Sequence, residues 1–167
     1  MSTSAVSSIN LGDPQDDSTE ARLRASAVKH FAAKGYDATS IRDIIEDAGV
    51  TRPVLYYYFK NKEDLFTKLI VSEFEAGLRE LDEAIAAGTD FRDTLIRIVR
   101  SQFERAESSP ELVQMMLQFF FSPPDGAVGI DRLALGNKRI HKVARAIQAG
   151  LDAGEIAGGD AFSFTMV

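Results

Sequence analysis

The stretch TSIRDIIEDAGVTRPVLYYYFKNK, Thr39 to Lys62, most narrows what this chain can fold into, because it writes two short helices and a tight turn into 24 residues. Thr39 and Ser40 can cap a helix whose Ile41, Ile44, Ile45 and Ala48 recur at three-four spacing, giving one apolar face and a hydroxyl pair at the positive end. Gly49 stops that helix. Val50 is apolar and can anchor the turn, and Thr51 is a second N-cap. Pro53 falls in the first turn of the next helix, where a missing backbone donor costs nothing. The pattern is a helix-turn-helix.

The second of these helices separates two kinds of residue. Leu55 and Phe59 lie four apart and face a core, whereas Arg52 and Tyr56, also four apart, share another face near the N-terminal end. An exposed arginine and tyrosine placed there can meet base edges in a major groove, and Tyr57, Tyr58 and Lys62 can reach flanking phosphates. Three adjacent tyrosines cannot all be buried. One of them packing in the core, with the others as ordinary amphipathic cover, is the alternative for any single tyrosine.

The segment from about Leu23 to Phe66 resembles the DNA-binding domain of the TetR family of transcriptional regulators. The run FAAKGYDATSIRDIIEDAGVTRPVLYYYFKNKEDLF follows the family pattern almost position for position, which makes it far more specific than a short glycine motif. The resemblance implies that Arg42, Arg52, Pro53, Val54 and Tyr56 read bases, and that Thr39, Ser40, Tyr57, Tyr58 and Lys62 contact phosphates. Beyond Phe66 it is architectural only.

The whole chain sets the outer bounds. With 167 residues and 45% hydrophobic content it can bury a substantial core, and the absence of cysteine excludes disulfides and thiolate metal sites. His30 and His141 are far apart in sequence and match no familiar zinc spacing, so no metal or other cofactor is expected. No apolar run approaches the roughly 18 residues that span a bilayer, and the N-terminus lacks a signal-peptide pattern, so the expected location is cytoplasmic without membrane partners. The net charge of −6 looks wrong for a DNA binder until it is divided. Residues 18–68 hold nine Lys+Arg against seven Asp+Glu, a balance of +2, while residues 69–167 carry −5. A balance of +2 points to a few placed contacts rather than a broad basic surface.

Residues 1–17, rich in serine and acid, read as a disordered arm. Asp17 and Glu20 have capping-box spacing ahead of a first helix with Leu23, Ala27 and Phe31 on one face, ending at Gly35; Phe31 should be the keystone of the domain at 18–66. A long helix starts at Lys62 and carries Leu65, Leu69, Val71, Phe74, Leu78, Leu81 and Ile85 until Gly88, with Gly77 as a place for a bend. Further helices follow over about 90–106, with Phe91, Leu95, Ile98, Val99 and Phe103 inward, and from Pro110 to Phe121, apolar nearly all round and therefore buried on most sides. A proline-glycine loop at 122–129 leads to a helix at about 130–153 with Leu133, Ile140, Val143, Ala144, Ile147 and Leu151 inward, and Asp160 can cap one more, AFSFTMV. With no repeat, phosphate loop or strand-like alternation, the fold class is all-α: a three-helix DNA-binding domain, then a larger helical effector-binding and dimerisation domain at 67–167.

The family resemblance implies an effector cavity among the later helices. Phe103, Met115, Met116, Phe119 and Phe120 can line it, with Gln118 and His141 as polar groups that orient a ligand, although for any single one of them plain core packing is the simpler account. No catalytic constellation can be assembled, so the chain is read as no enzyme. The function these features support is a sequence-specific regulator, a repressor released from a palindromic double-stranded DNA operator by a small apolar or aromatic effector. The activator reading stays open, and the rival is a helical-bundle carrier or interaction module without specific DNA binding. One helix-turn-helix reads few base pairs, so a homodimer is expected. In the family the last two helices usually build that interface, and only the start of one, Ala161 to Val167, is present here, so the second domain reads as truncated at its C-terminal end.

Overall fold

The computed structural model describes residues 18–121 and 129–157, among which there are seven α-helices and no strand. They are α1 (Thr19–Ala38), α2 (Ile41–Ala48), α3 (Arg52–Tyr58), α4 (Lys62–Ala86), α5 (Phe91–Ser108), α6 (Pro110–Phe121) and α7 (Arg132–Asp152). The all-α class read from the sequence is the observed one. No helix among the described residues is long and apolar enough to cross a membrane. The arm at 1–17, most of the loop at 122–129 and the terminal AFSFTMV segment lie outside the described residues.

The chain divides into two compact units, the first reaching Ala76 and including Ser109–Ile130, the second comprising Gly77–Ser108 and the residues from Asp131 onward. The division falls within α4, and it places α6 in the first unit. The reason is the face that α6 presents. Leu112, Met115 and Phe119 are buried at three-four spacing in that unit, where α6 packs on α1 and the Gln118 side-chain amide donates to the Ala32 carbonyl at 2.8 Å. Leu117 and Phe121 are exposed, so α6 is amphipathic and not buried on most sides.

In the first unit Leu23, Ala27 and Phe31 of α1, Ile44 and Ala48 of α2, Leu55 of α3, and Leu65, Phe66, Leu69 and Ile70 of α4 are all buried, and the Phe31 ring meets that of Phe66. The start of α1 differs from the expected Asp17/Glu20 box. Ser18 is the cap, its Oγ accepting from the Ala21 N–H at 3.1 Å, and Glu20 pairs with Arg24 at 2.9 Å. Gly35, with φ of 79°, breaks the helical path where the sequence places the end of α1.

In the second unit Leu81, Ile98, Leu135, Ala146 and Ile147 are buried, with Glu80 pairing to Arg105 and Lys142 to Asp82. Two inward assignments are corrected here. On α5 the buried face runs through Thr94 and Ile98, which turns Leu95, Val99 and Phe103 outward, and on α7 the Asp131 cap sets a phase that buries Leu135 and leaves Leu133 exposed.

Two helical glycines respond oppositely to a methyl group. A Cβ on Gly77 would meet nothing within 4 Å, so Gly77→Ala should raise stability by about 0.5–1 kcal/mol through helix propensity alone. A Cβ on Gly150 would stand 2.6 Å from Cδ2 of the Phe91 ring. The close approach extends to the Phe91 Cβ at 3.1 Å, which ring rotation does not relieve, so Gly150→Ala should lose about 1–2 kcal/mol net of the propensity gain. Urea midpoints of the two variants, compared with the unsubstituted chain, check both signs.

Candidate nucleic-acid interface

The α2–α3 pair is fixed by local hydrogen bonds that the sequence dictates. Ser40 and Asp43 form a reciprocal capping box: the Asp43 N–H donates to Ser40 Oγ at 3.1 Å and the Ser40 N–H to Asp43 Oδ2 at 3.3 Å. That Ser40 N–H, more than the neighbouring Lys34 ammonium, holds the Asp43 carboxyl below the usual carboxylate range. Gly49, at φ 64° and ψ 40°, closes α2; its N–H donates to the Glu46 carbonyl and that of Val50 to the Ile45 carbonyl, the bond pattern of a glycine-terminated helix. The Ser26 hydroxyl, buried in α1, ties down the Ile44 carbonyl at 2.9 Å. The turn angle is thereby set by side chains of both α1 and α2.

α3 then presents two chemically distinct faces. Leu55 and Phe59 are 0% and 1% exposed, whereas Tyr56 is 45% and Tyr57 83% exposed, and Arg52 and Pro53 are also at the surface. Val54 and Tyr58 are half-buried, so none of the three adjacent tyrosines is a core residue, and the Tyr57 and Tyr58 rings meet edge to face at 5.0 Å. Thr51 occupies the N-cap without a side-chain bond, which leaves its exposed hydroxyl available. Arg42 is exposed on α2 and paired with Glu46 at 2.7 Å.

Two expected phosphate contacts are placed otherwise. Thr39 is 1% exposed, and its hydroxyl is directed to the Gly35 carbonyl at 2.8 Å and the His30 carbonyl at 3.0 Å, so it holds the end of α1 and has no hydroxyl at the surface. The Lys62 ammonium donates to the carbonyls of Tyr36 at 2.9 Å and Thr39 at 3.0 Å. Sequence reasoning does not single out Lys60, which is exposed in the α3–α4 connection with its N–H anchored on Asp64 at 2.9 Å; its place in the KNK run beside Tyr57 is the available signal.

The residues expected to line an effector cavity are distributed over both units. Met115 and Phe119 are core residues of the first unit, Met116 and Phe120 are half-buried beside them, and the Gln118 amide is bonded to α1. Phe103 and His141 belong to the second unit and are exposed.

A capped helix, a left-handed glycine turn and a second helix with one buried and one polar-aromatic exposed face define a helix-turn-helix protein. The model of bacterial regulatory proteins of the tetR family matches residues 23–69. The HTH-type transcriptional repressor KstR2 of Rhodococcus jostii is 30% identical over 105 residues, 60% of this chain and 52% of that protein. The uncharacterized HTH-type transcriptional regulator YfiR of Bacillus subtilis is 32% identical over 68 residues, 41% and 33% of the two chains. The matched stretches thus span between a third and about half of the length of these curated relatives. Among solved structures, the TetR family transcriptional regulator PfmR of Thermus thermophilus has a similar fold, with a TM-score of 0.74 at 22% identity over 89% of this chain and 80% of that one. Over residues 23–69 the chain carries the helix-turn-helix domain of the TetR family.

Proposed function

We propose that the chain is a sequence-specific DNA-binding transcriptional regulator, a repressor that dimerises on a palindromic operator and leaves it when a small apolar or aromatic effector binds. The observation that carries the reading is the division of α3, whose core side is sealed by Leu55 and Phe59 while Arg52 and Tyr56 are exposed. An arginine and a tyrosine there offer donors to base edges in a major groove, and Ser40, Tyr57, Tyr58 and Lys60 ring them with groups suited to phosphate oxygens. Regulators of this family bind DNA operators and small-molecule effectors as dimers, which supports the remaining parts of the proposal. Within the first unit, Met116 and Phe120 on α6 are the half-buried apolar groups an effector would meet. Because α6 is bonded to α1 through Gln118, a ligand that favours a shifted α6 also acts on the helix that carries α2. Such a ligand must bind the two states with different affinity, and DNA must then weaken ligand binding by the same factor.

Selection of duplexes from a random-sequence pool by the full chain tests the reading. The expected result is enrichment of an inverted repeat whose half-sites lie about one helical turn, or a multiple of it, apart. A pool that stays random after repeated rounds would remove the regulator reading and leave the carrier.

A further inference from the structure

We propose that Lys62 is a positioning residue that locks the α2–α3 pair to the start of α4, and not a phosphate contact; its effect on DNA rests on the function proposed above. An ammonium has three donors and no acceptor. Here they converge on carbonyls at the end of α1 and just before α2: Tyr36 at 2.9 Å, Thr39 at 3.0 Å and, more distantly, Asp37 at 3.4 Å. The Tyr36 ring covers the same ammonium, with its centroid 4.3 Å away.

These carbonyls follow the break at Gly35 and so lie beyond the regular turns of α1, where the Tyr36 carbonyl also accepts from the Thr39 N–H at 3.3 Å. Swinging Lys62 out to a phosphate would leave them without that donor, in a place where Thr39 is 1% exposed. The topology gives the contact its consequence. Thr39 directly precedes the Ser40 cap of α2, and Lys62 is the first residue of α4, so one side chain closes the loop of chain that contains the whole of α2 and α3. The start of α2 is held on one side by the Ser40–Asp43 box and on the other by the ammonium.

Arginine separates the two roles. Its planar fork serves a phosphate at least as well as lysine does, but it cannot reproduce a compact ammonium among carbonyls that approach from several directions under an aromatic ring. A phosphate contact therefore survives Lys62→Arg, and a positioning contact does not.

The experiment compares amide hydrogen exchange in the full chain carrying Lys62→Met or Lys62→Arg with the unsubstituted chain. Both variants should speed exchange at the Ile44, Leu55 and Phe59 amides by about tenfold, the effect of losing roughly one charge-assisted hydrogen bond, while amides of α5 and α7 stay as they were. On the duplex the unsubstituted chain selects, both variants should bind about tenfold more weakly with an unchanged slope of log affinity against log salt. Unchanged exchange in α2 and α3 would overturn the proposal. So would a uniform acceleration that includes α1 and α6, which marks a merely structural lysine, or a slope smaller by about 0.9 with Lys62→Arg retaining full affinity, which marks a phosphate contact. If the unsubstituted chain selects no duplex, the regulator reading fails by itself and the exchange pattern still decides the role of Lys62.

Discussion

Phe31→Ala should cost the first unit about 3–5 kcal/mol, a loss on the scale of the 5–15 kcal/mol that holds a whole small domain folded. Phe31 is 1% exposed, its ring meets the edge of Phe66 at 4.9 Å and stacks near Tyr36 at 5.9 Å. Phe66 in turn reaches Phe119 at 6.0 Å, so removing the Phe31 ring opens a cavity where α1 and α4 meet, beside the contact to α6. Little can collapse into that space, because the neighbouring rings are themselves held by one another. The chain supplies its own reporter: it has no tryptophan, and its four tyrosines, at positions 36, 56, 57 and 58, all lie in the first unit. Tyrosine fluorescence should therefore lose its transition at much lower urea than in the unsubstituted chain, while far-UV circular dichroism retains a second transition from the helices of the other unit. A shift in the tyrosine midpoint equivalent to less than about 1 kcal/mol would mean that Phe31 is not the centre of this core.

The parts of the fold that could be read in advance are those fixed by contacts close in sequence. Ser40, Gly49 and Pro53 act within one turn of themselves, so α2, its stop and the start of α3 follow from the residue types. Phase was harder. α5 carries apolar residues at 91, 95, 96, 98, 99 and 103, and such a wide stripe leaves its buried centre undecided until a partner helix selects Thr94 and Ile98. The same holds for α6, where nine of twelve residues are apolar or proline yet packing on α1 chooses Leu112, Met115 and Phe119. In the candidate site, the exposure of Arg52 and Tyr56 was legible because the residues that fix the buried side, Leu55 and Phe59, lie on the same short helix and its cap. Thr39 and Lys62 were not: their hydrogen-bond acceptors are His30, Gly35 and Tyr36, and the bond from Lys62 to Tyr36 spans 26 positions. A hydroxyl and an ammonium at the rim of a reading helix look alike in sequence whether they face a phosphate or a carbonyl of their own chain.

At the proposed base-reading surface of α3, substitutions should have their largest functional effect. Arg52→Ala and Tyr56→Ala should each weaken binding to the selected duplex by about 1–3 kcal/mol, because each removes a donor from a base edge that then loses its partner. The double variant should lose about 2–5 kcal/mol, with some departure from the sum, since residues four apart on one helix face share neighbouring base pairs. Neither change should disturb folding, as both side chains are exposed and the buried Leu55 and Phe59 are untouched. Lys60→Ala is the contrasting case: exposed and free of a base-reading position, it should weaken all duplexes alike and reduce the salt slope by about 0.9. Repeating the pool selection with each protein separates the two kinds of contact. Arg52→Ala and Tyr56→Ala should each return a repeat with relaxed preference at one or two positions per half-site, and Lys60→Ala should return the original repeat at lower affinity. If both α3 variants select the same bases as the unsubstituted chain, then the exposed face of α3 does not read sequence, and specificity has to come from the deformability of the duplex or from Arg42 on α2.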